Sequence, residues 1–118
     1  MQGDELADRL LDFAVRIIEG AAALSKSPTG RHIAVQIVDS GTSIGAHYEE
    51  ARGAESKADL LHKRGLALKE CRETRYWLEV INRAKLLSGN FPNALLVEAD
   101  ALCAILGPSI LTARGKGK

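Results

Sequence analysis

Between Ser40 and Leu78 the chain reads SGTSIGAHYEEARGAESKADLLHKRGLALKECRETRYWL, and this stretch leaves little choice of fold. Apolar residues recur there at helical spacing on both sides of one break at Gly53, so two helices meet at that glycine. The first of them carries Ile33, Ile37, Ser40, Gly41, Ile44, Tyr48 and Ala51 on its inner face, with Val38 and Gly45 beside it. Gly41 and Gly45 are one helical turn apart and share a surface. Glycine inside a helix costs on the order of 1 kcal/mol against alanine. The offsetting gain is close approach of a neighbouring helix, with a hinge or ligand notch as the other reading. No strand and no suitably spaced lysine accompany these glycines, which excludes a phosphate-binding loop.

The flanking chain extends the pattern. A first helix is predicted from Asp4 to Leu24, because Leu6, Leu10, Phe13, Ile17, Ala21 and Leu24 line one face and acids occupy the first turn. Ser27 before Pro28 starts the second helix, which runs to about Ala51 or Arg52. Ser56, with Asp59 in the acidic box position, starts the third. That helix should continue to about Leu87, roughly 45–50 Å. Its main stripe is Leu60, Ala67, Cys71, Thr74, Leu78 and Ile81. A second stripe, Leu66, Trp77, Val80, Ala84 and Leu87, gives it more apolar surface than one small bundle hides, and marks a candidate subunit interface. The alternative is one wide core. The loop Ser88–Asn93 leads to a fourth helix ending near Ala113, with Leu95 or Leu96, Ala99, Leu102, Cys103, Leu106 and Ile110 inside. Gly107-Pro108 predicts a kink or restart, and residues 113–118 a basic, flexible tail.

The expected fold is therefore all-α: a single domain over residues 1–118, an antiparallel up-down-up-down four-helix bundle with a long third helix. With 118 residues and 46% hydrophobic content, a core needs neither disulfide nor metal. Only 4% of residues are aromatic, so aliphatic side chains do the packing and an all-β fold is disfavoured. Cys71 and Cys103 have no metal-ligand or redox-motif spacing and fall on apolar stripes, so both are expected as buried, reduced thiols, in keeping with a cytoplasmic protein. The acidic N-terminus is no signal peptide, and no apolar run approaches membrane-spanning length.

Chemistry is sparse. A formal charge of +1 makes no case for nucleic acid, but the charge is unevenly placed. Residues 1–24 hold two basic and five acidic side chains, whereas residues 55–87 hold eight basic and five acidic. Lys69, Arg72 and Arg83 project to one side of the third helix, and Lys57, Arg64 and Arg75 follow another line. A solvated face with internal pairs such as Lys69–Glu73 and Arg75–Glu79 is the plainer reading. Inward pairing of Glu49, Glu50, Glu70 or Glu73 with Arg72 or Arg75 is another. His47 with Glu50, and Asp59 with His62, share helix faces as in carboxylate-bridged di-metal bundles. Such a site needs further inward carboxylates, and Asp12, Glu19, Glu98 and Asp100 mostly flank polar faces, so no metal or other cofactor is expected. Ser40, Ser43 and Cys71 lack the partners that nucleophilic catalysis needs, so no catalytic residue and no small-molecule substrate is assigned.

GRHIAVQIVDSGTSIGAHYEEA and LKECRETRYWL, with DRLLDFAVRIIE and EADALCAILGPSILTAR, strongly resemble the signature of the four-helix-bundle proteins encoded in bacterial ribosomal RNA intervening sequences. The resemblance covers nearly the whole chain. One departure is His47, where the family usually shows asparagine. That family is similar to the accessory protein of diversity-generating retroelements, which implies a barrel-shaped homopentamer with a basic surface for nucleic acid. The resemblance thus implies self-association and binding of RNA or DNA, and no enzyme. Lys57, Lys63, Arg64, Lys69, Arg72 and Arg75 are the candidate phosphate contacts. Two other readings stay open: an adaptor that binds another protein without nucleic acid, and a metal-dependent bundle enzyme using Asp59, His62, His47 and Glu50.

Overall fold

A computed structural model describes the backbone of residues 3–115 and the side chains of residues 3–108. Four helices follow one another: α1 (Gly3–Leu24), α2 (Pro28–Arg52), α3 (Lys57–Arg83) and α4 (Phe91–Gly115), with no strand among the described residues. Each helix packs on its sequence neighbours, and α1 also touches α4, so the four form a closed square around one core. Contacts between successive helices run in opposite chain directions. Asp4 meets Arg52 while Ile17 meets Gly41, and Lys63 meets Glu50 while Thr74 meets Ser40. The result is a rod of 49 × 21 × 20 Å.

The core follows the stripes legible in the sequence, except that Leu60 is only half-buried and the Ile110 side chain lies outside the described residues. Leu6, Leu10, Phe13, Ile17, Ala21 and Leu24 from α1 are all buried, as are Ile33, Ile37, Ile44, Tyr48 and Ala51 from α2. Ala67, Cys71, Thr74, Leu78 and Ile81 complete it from α3, with Leu95, Ala99, Leu102, Cys103 and Leu106 from α4. Full burial of one such leucine or isoleucine stabilises by about 1.5–3 kcal/mol. The small residues of α2 let α1 approach. A Cβ on Gly41 would stand 2.9 Å from Ile17 Cγ2, closer than two carbons pack, whereas one on Gly45 would meet Leu10 at an ordinary 3.4 Å. The packing reading of Gly41 therefore holds. Ser40 and Thr74, the two buried polar side chains among the described residues, satisfy one another across α2 and α3. Thr74 Oγ1 donates to Ser40 Oγ at 2.9 Å, and Ser40 Oγ donates to the Ile37 carbonyl at 3.4 Å.

Helix ends follow the capping chemistry, with corrections. Ser27 Oγ accepts from the Gly30 amide and Ser56 Oγ from the Asp59 amide, both at 3.0 Å. Gly53 does cap α2, but at φ −99° rather than in the left-handed region. The long third helix is not found: α3 has 27 residues, only two more than α2, and spans about 40 Å. It stops at Arg83 because Lys85 turns left-handed (φ 54°) and the Leu86 amide reaches back to the Ile81 carbonyl at 3.1 Å. The Lys85 amide bonds Asn82 at the same end, which completes a Schellman-type cap without glycine. The helix does not restart at Gly107-Pro108, since α4 continues through Pro108 to Gly115. The carbonyl that Pro108 leaves without a donor belongs to exposed Ala104, where water can bond it. Of the expected tail, 113–115 belong to α4 and 116–118 lie outside the described residues.

Candidate functional surfaces

On α3 the basic side chains divide by environment. Lys57, Lys69 and Arg72 are exposed and make no ion pair with the described residues. Lys63 reaches Glu50 of α2 at 3.4 Å, and Arg75 reaches Asp100 of α4 at 3.6 Å. Arg64 is half-buried. The local pairs expected along the helix do not form. Glu73 accepts from Trp77 Nε1 at 3.3 Å instead of pairing Lys69, and Glu79 pairs Arg83 at 3.3 Å instead of Arg75. The inward carboxylate–arginine pairs expected for Arg72 and Arg75 are likewise not seen, since Arg75 turns outward to Asp100 across the α3–α4 seam.

Tyr76 is the residue that sequence reasoning missed. It is 60% exposed and its ring stands edge-on to Trp77, with centroids 5.2 Å apart. Lys69, Arg72, Tyr76 and Arg83 follow one another at three-, four- and seven-residue steps, so they share one face of α3. The signal was present in the sequence as an aromatic among basic positions at helical spacing. The arrangement is an exposed ring in a basic strip, able to offer both charge to phosphate and a face to a base.

The carboxylates and histidines proposed for a metal are occupied otherwise. His47 Nδ1 bonds Glu50 at 2.9 Å, and Glu50 is also held by Lys63. The Glu50 carboxyl therefore sits below its usual range, chiefly through the His47 hydrogen bond. Asp59 Oδ2 accepts from the Glu55 amide at 3.4 Å, closing the start of α3, and His62 points to solvent. Among the described residues no three His, Cys, Asp or Glu side chains converge as metal ligands.

The second surface is apolar and lies elsewhere than the α3 stripe. Trp77, Val80 and Leu87 pack partly against the core, Leu66 is half-buried, and of that stripe only Ala84 is exposed. By contrast Leu11 (64%), Val15 (49%) and Ile18 (50%) of α1 and Val35 (68%) of α2 stand in solvent. Leu11, Val15 and Ile18 line an open groove of about 610 Å³ between α1 and α2, together with Leu10, Ala14 and Gly45. It continues past Ile18 and Thr42 into a shallower one of about 550 Å³ beside Val35 and Val38. Leu11, Val15 and Ile18 were legible as a second line on α1.

Ion pairs secure the remaining seams. Arg9 makes a bidentate bond to Glu98, 2.7 Å on each arm, tying α1 to α4. The Arg9 guanidinium holds the Glu98 carboxyl below its ordinary range. Glu98 falls inside the segment Phe91–Pro108, which reaches a mean hydropathy of 1.2 over 18 residues. That segment is long and apolar enough to cross a bilayer, against the expectation that none approaches such length. Its apolar face is the one that packs into the bundle core, at Leu95, Ala99, Leu102 and Leu106.

The 23S rRNA-intervening sequence protein model matches residues 5–107. The chain belongs to this family. A crystal structure at 1.70 Å of a protein of unknown function from the S23 ribosomal protein family, from Bacteroides thetaiotaomicron VPI-5482, is 34% identical and superposes with a TM-score of 0.85. The alignment covers 93% of this chain and 98% of that one. No curated protein matches the chain.

Proposed function

We propose that this member of the rRNA-intervening sequence family is a non-catalytic, homo-oligomeric cytoplasmic protein that binds RNA or DNA on the exposed face of α3. The observation that carries the reading is Tyr76, 60% exposed within the strip Lys69, Arg72 and Arg83. Lys57 extends the charge toward the start of the helix, Lys63 and Arg75 act mainly in holding α3 to its neighbours, and half-buried Arg64 adds to the charge. The occupant of the α1/α2 groove is a second copy of the chain. The opposite half of that contact is the half-buried edge of α3 at Leu66, Trp77, Val80 and Leu87, with exposed Ala84 among them. Charge favours the pairing, because residues 1–24 carry five acidic and two basic side chains against five and eight in residues 55–87. Unlike faces in contact build a ring where the rotation between copies closes, and the family resemblance sets the expected ring at five copies.

The test is binding of a fluorescent RNA and a matching duplex DNA across a salt series, with the mass of the particle followed by light scattering. Lys69→Glu with Arg72→Glu should weaken binding and flatten the slope of log affinity against log salt by about 1.4–1.8. Tyr76→Ala should cost about 1–3 kcal/mol on single strands with little change in that slope. Val15→Glu with Val35→Glu should dissociate the particle. Absence of binding at low salt by the intact oligomer would overturn the nucleic-acid reading in favour of a protein adaptor. A monomeric wild-type chain would overturn the assembly reading.

A further inference from the structure

Cys71 of α3 and Cys103 of α4, thirty-two positions apart in sequence, place their sulfur atoms 2.9 Å from each other inside the bundle. Both are free thiols. A disulfide needs about 2.05 Å between sulfurs, so less than 1 Å of movement separates the pair from a bond. We propose that Cys71 and Cys103 form a peroxide-responsive dithiol that closes to an intramolecular disulfide, clamping α3 to α4.

Three observations give the pair its chemistry. The first is geometry: two thiols held in contact by helices on both sides have a resolving partner already in place for whichever sulfur is oxidised. The second is asymmetry. Cys71 is fully buried and donates to the Ala99 carbonyl at 3.6 Å, whereas Cys103 lies at the edge of the core with 9% of its surface exposed. Cys103 is therefore the sulfur that a small oxidant reaches. The third is electrostatic. A hydrogen bond from the Cys71 S–H favours a Cys103 thiolate most, burial opposes it, and the charges of Arg75 and then Arg72 add to the hydrogen bond against a smaller effect of Asp100. Together they draw Cys103 below its ordinary value and push Cys71 upward. Cys103 is thus the sulfur on which thiolate character is favoured.

The step balances with a hydroperoxide as the oxidant. The Cys103 thiolate attacks one peroxide oxygen, the O–O bond breaks, and the leaving hydroxide is protonated to water. The resulting sulfenic acid is attacked at sulfur by Cys71, the S–S bond forms, and the departing hydroxide takes the Cys71 proton as a second water. Two electrons pass from the dithiol to the peroxide. Reduction by any small dithiol reverses the clamp. The inference rests on neither the nucleic-acid nor the assembly reading.

The test uses the full-length, fully reduced protein and hydrogen peroxide. The expected result is loss of both free thiols, a fall in intact mass of about 2 Da, and a Cys71–Cys103 peptide link. The rate should be independent of protein concentration, and the oxidised form should melt about 10 °C higher. Cys71→Ser should leave Cys103 trapped by a sulfenic-acid reagent, while Cys103→Ser should leave Cys71 unreactive. The alanine variants repeat the comparison if a serine variant fails to fold. Two free thiols persisting in wild-type protein, mass gain of oxygen without a crosslink, or a link only between chains would each overturn the proposal.

Discussion

The buried hydroxyl pair Ser40–Thr74 yields the most discriminating test of the bundle's interior. Both side chains are 0% exposed, so water cannot replace a lost partner. Thr74→Val keeps the volume and removes the proton that Ser40 Oγ receives at 2.9 Å, leaving a buried oxygen that only donates, to Ile37. An unsatisfied buried polar group costs about 1–3 kcal/mol, so about 1.5 kcal/mol is expected here. Ser40→Ala is milder, because the Thr74 hydroxyl can turn to the Glu70 carbonyl 2.8 Å away. It should cost about 1 kcal/mol, mostly the lost hydrogen bond and a small void. Carrying both changes removes the pair and its desolvation together, and replacement of both partners is nearly neutral, about 0–1 kcal/mol. The double-mutant cycle should therefore show coupling of about 1.5–2.5 kcal/mol. Urea unfolding at one fixed protein concentration measures it, since association would shift every midpoint. Additive single effects, with coupling under about 0.3 kcal/mol, would refute the view that the two hydroxyls depend on each other.

Other perturbations act through separate causes. Gly65→Ala should stabilise by about 1 kcal/mol in thermal unfolding, because a Cβ there meets nothing within 4 Å. Gly41→Val should destabilise by about 1–3 kcal/mol through overpacking against Ile17. Glu98 and Glu70 should respond to pH in opposite senses. Arg9 depresses the Glu98 carboxyl, so its stabilisation is full above the ordinary 4.5 and lost as pH falls through the lower folded value. Burial first, then Glu73, raises the Glu70 carboxyl, so its ionisation costs stability as pH rises from 4.5 through the higher folded value. Glu98→Gln should then lose stability at pH 7, and Glu70→Gln should gain it, with both differences vanishing in acid. A parallel response of the two variants would contradict the assignments.

Which parts of this structure were legible depended on whether the determining interaction was local. Helical periodicity located the inward faces of all four helices, because burial of Leu10, Ile44, Leu78 and Leu102 follows directly from their spacing. Ser27 and Ser56 marked true starts, since an N-cap bond closes within three residues. The end of α3 was misread because Lys85 supplies a left-handed turn that glycine usually signals. Its cost is met by the Schellman bonds and by Leu86 packing on the core, and propensity contains neither. Glu73 was read as a partner of Lys69 because both lie one turn apart, yet Trp77 lies one turn on the other side and takes it. The cysteine contact was invisible for a different reason. It depends on the register between α3 and α4, which no single-helix pattern encodes.

The two surfaces bear on each other. A single strip of Lys69, Arg72 and Arg83, with one arginine already engaged by Glu79, is a weak phosphate site by itself. A ring repeats the strip once per copy, and contacts made by one copy raise the effective concentration for the next. Affinity for a long nucleic acid should then depend on assembly as steeply as on charge. Val15→Glu with Val35→Glu lies on the α1/α2 face, away from α3, and leaves every basic side chain in place. If assembly multiplies binding, this variant should lose affinity for a long strand by about 100-fold or more while a strand that spans one strip binds as before. Equal losses on long and short strands would show that the α1/α2 face touches nucleic acid itself. Unchanged binding on both would show that one copy suffices, and that the apolar groove serves a purpose unconnected with the basic strip.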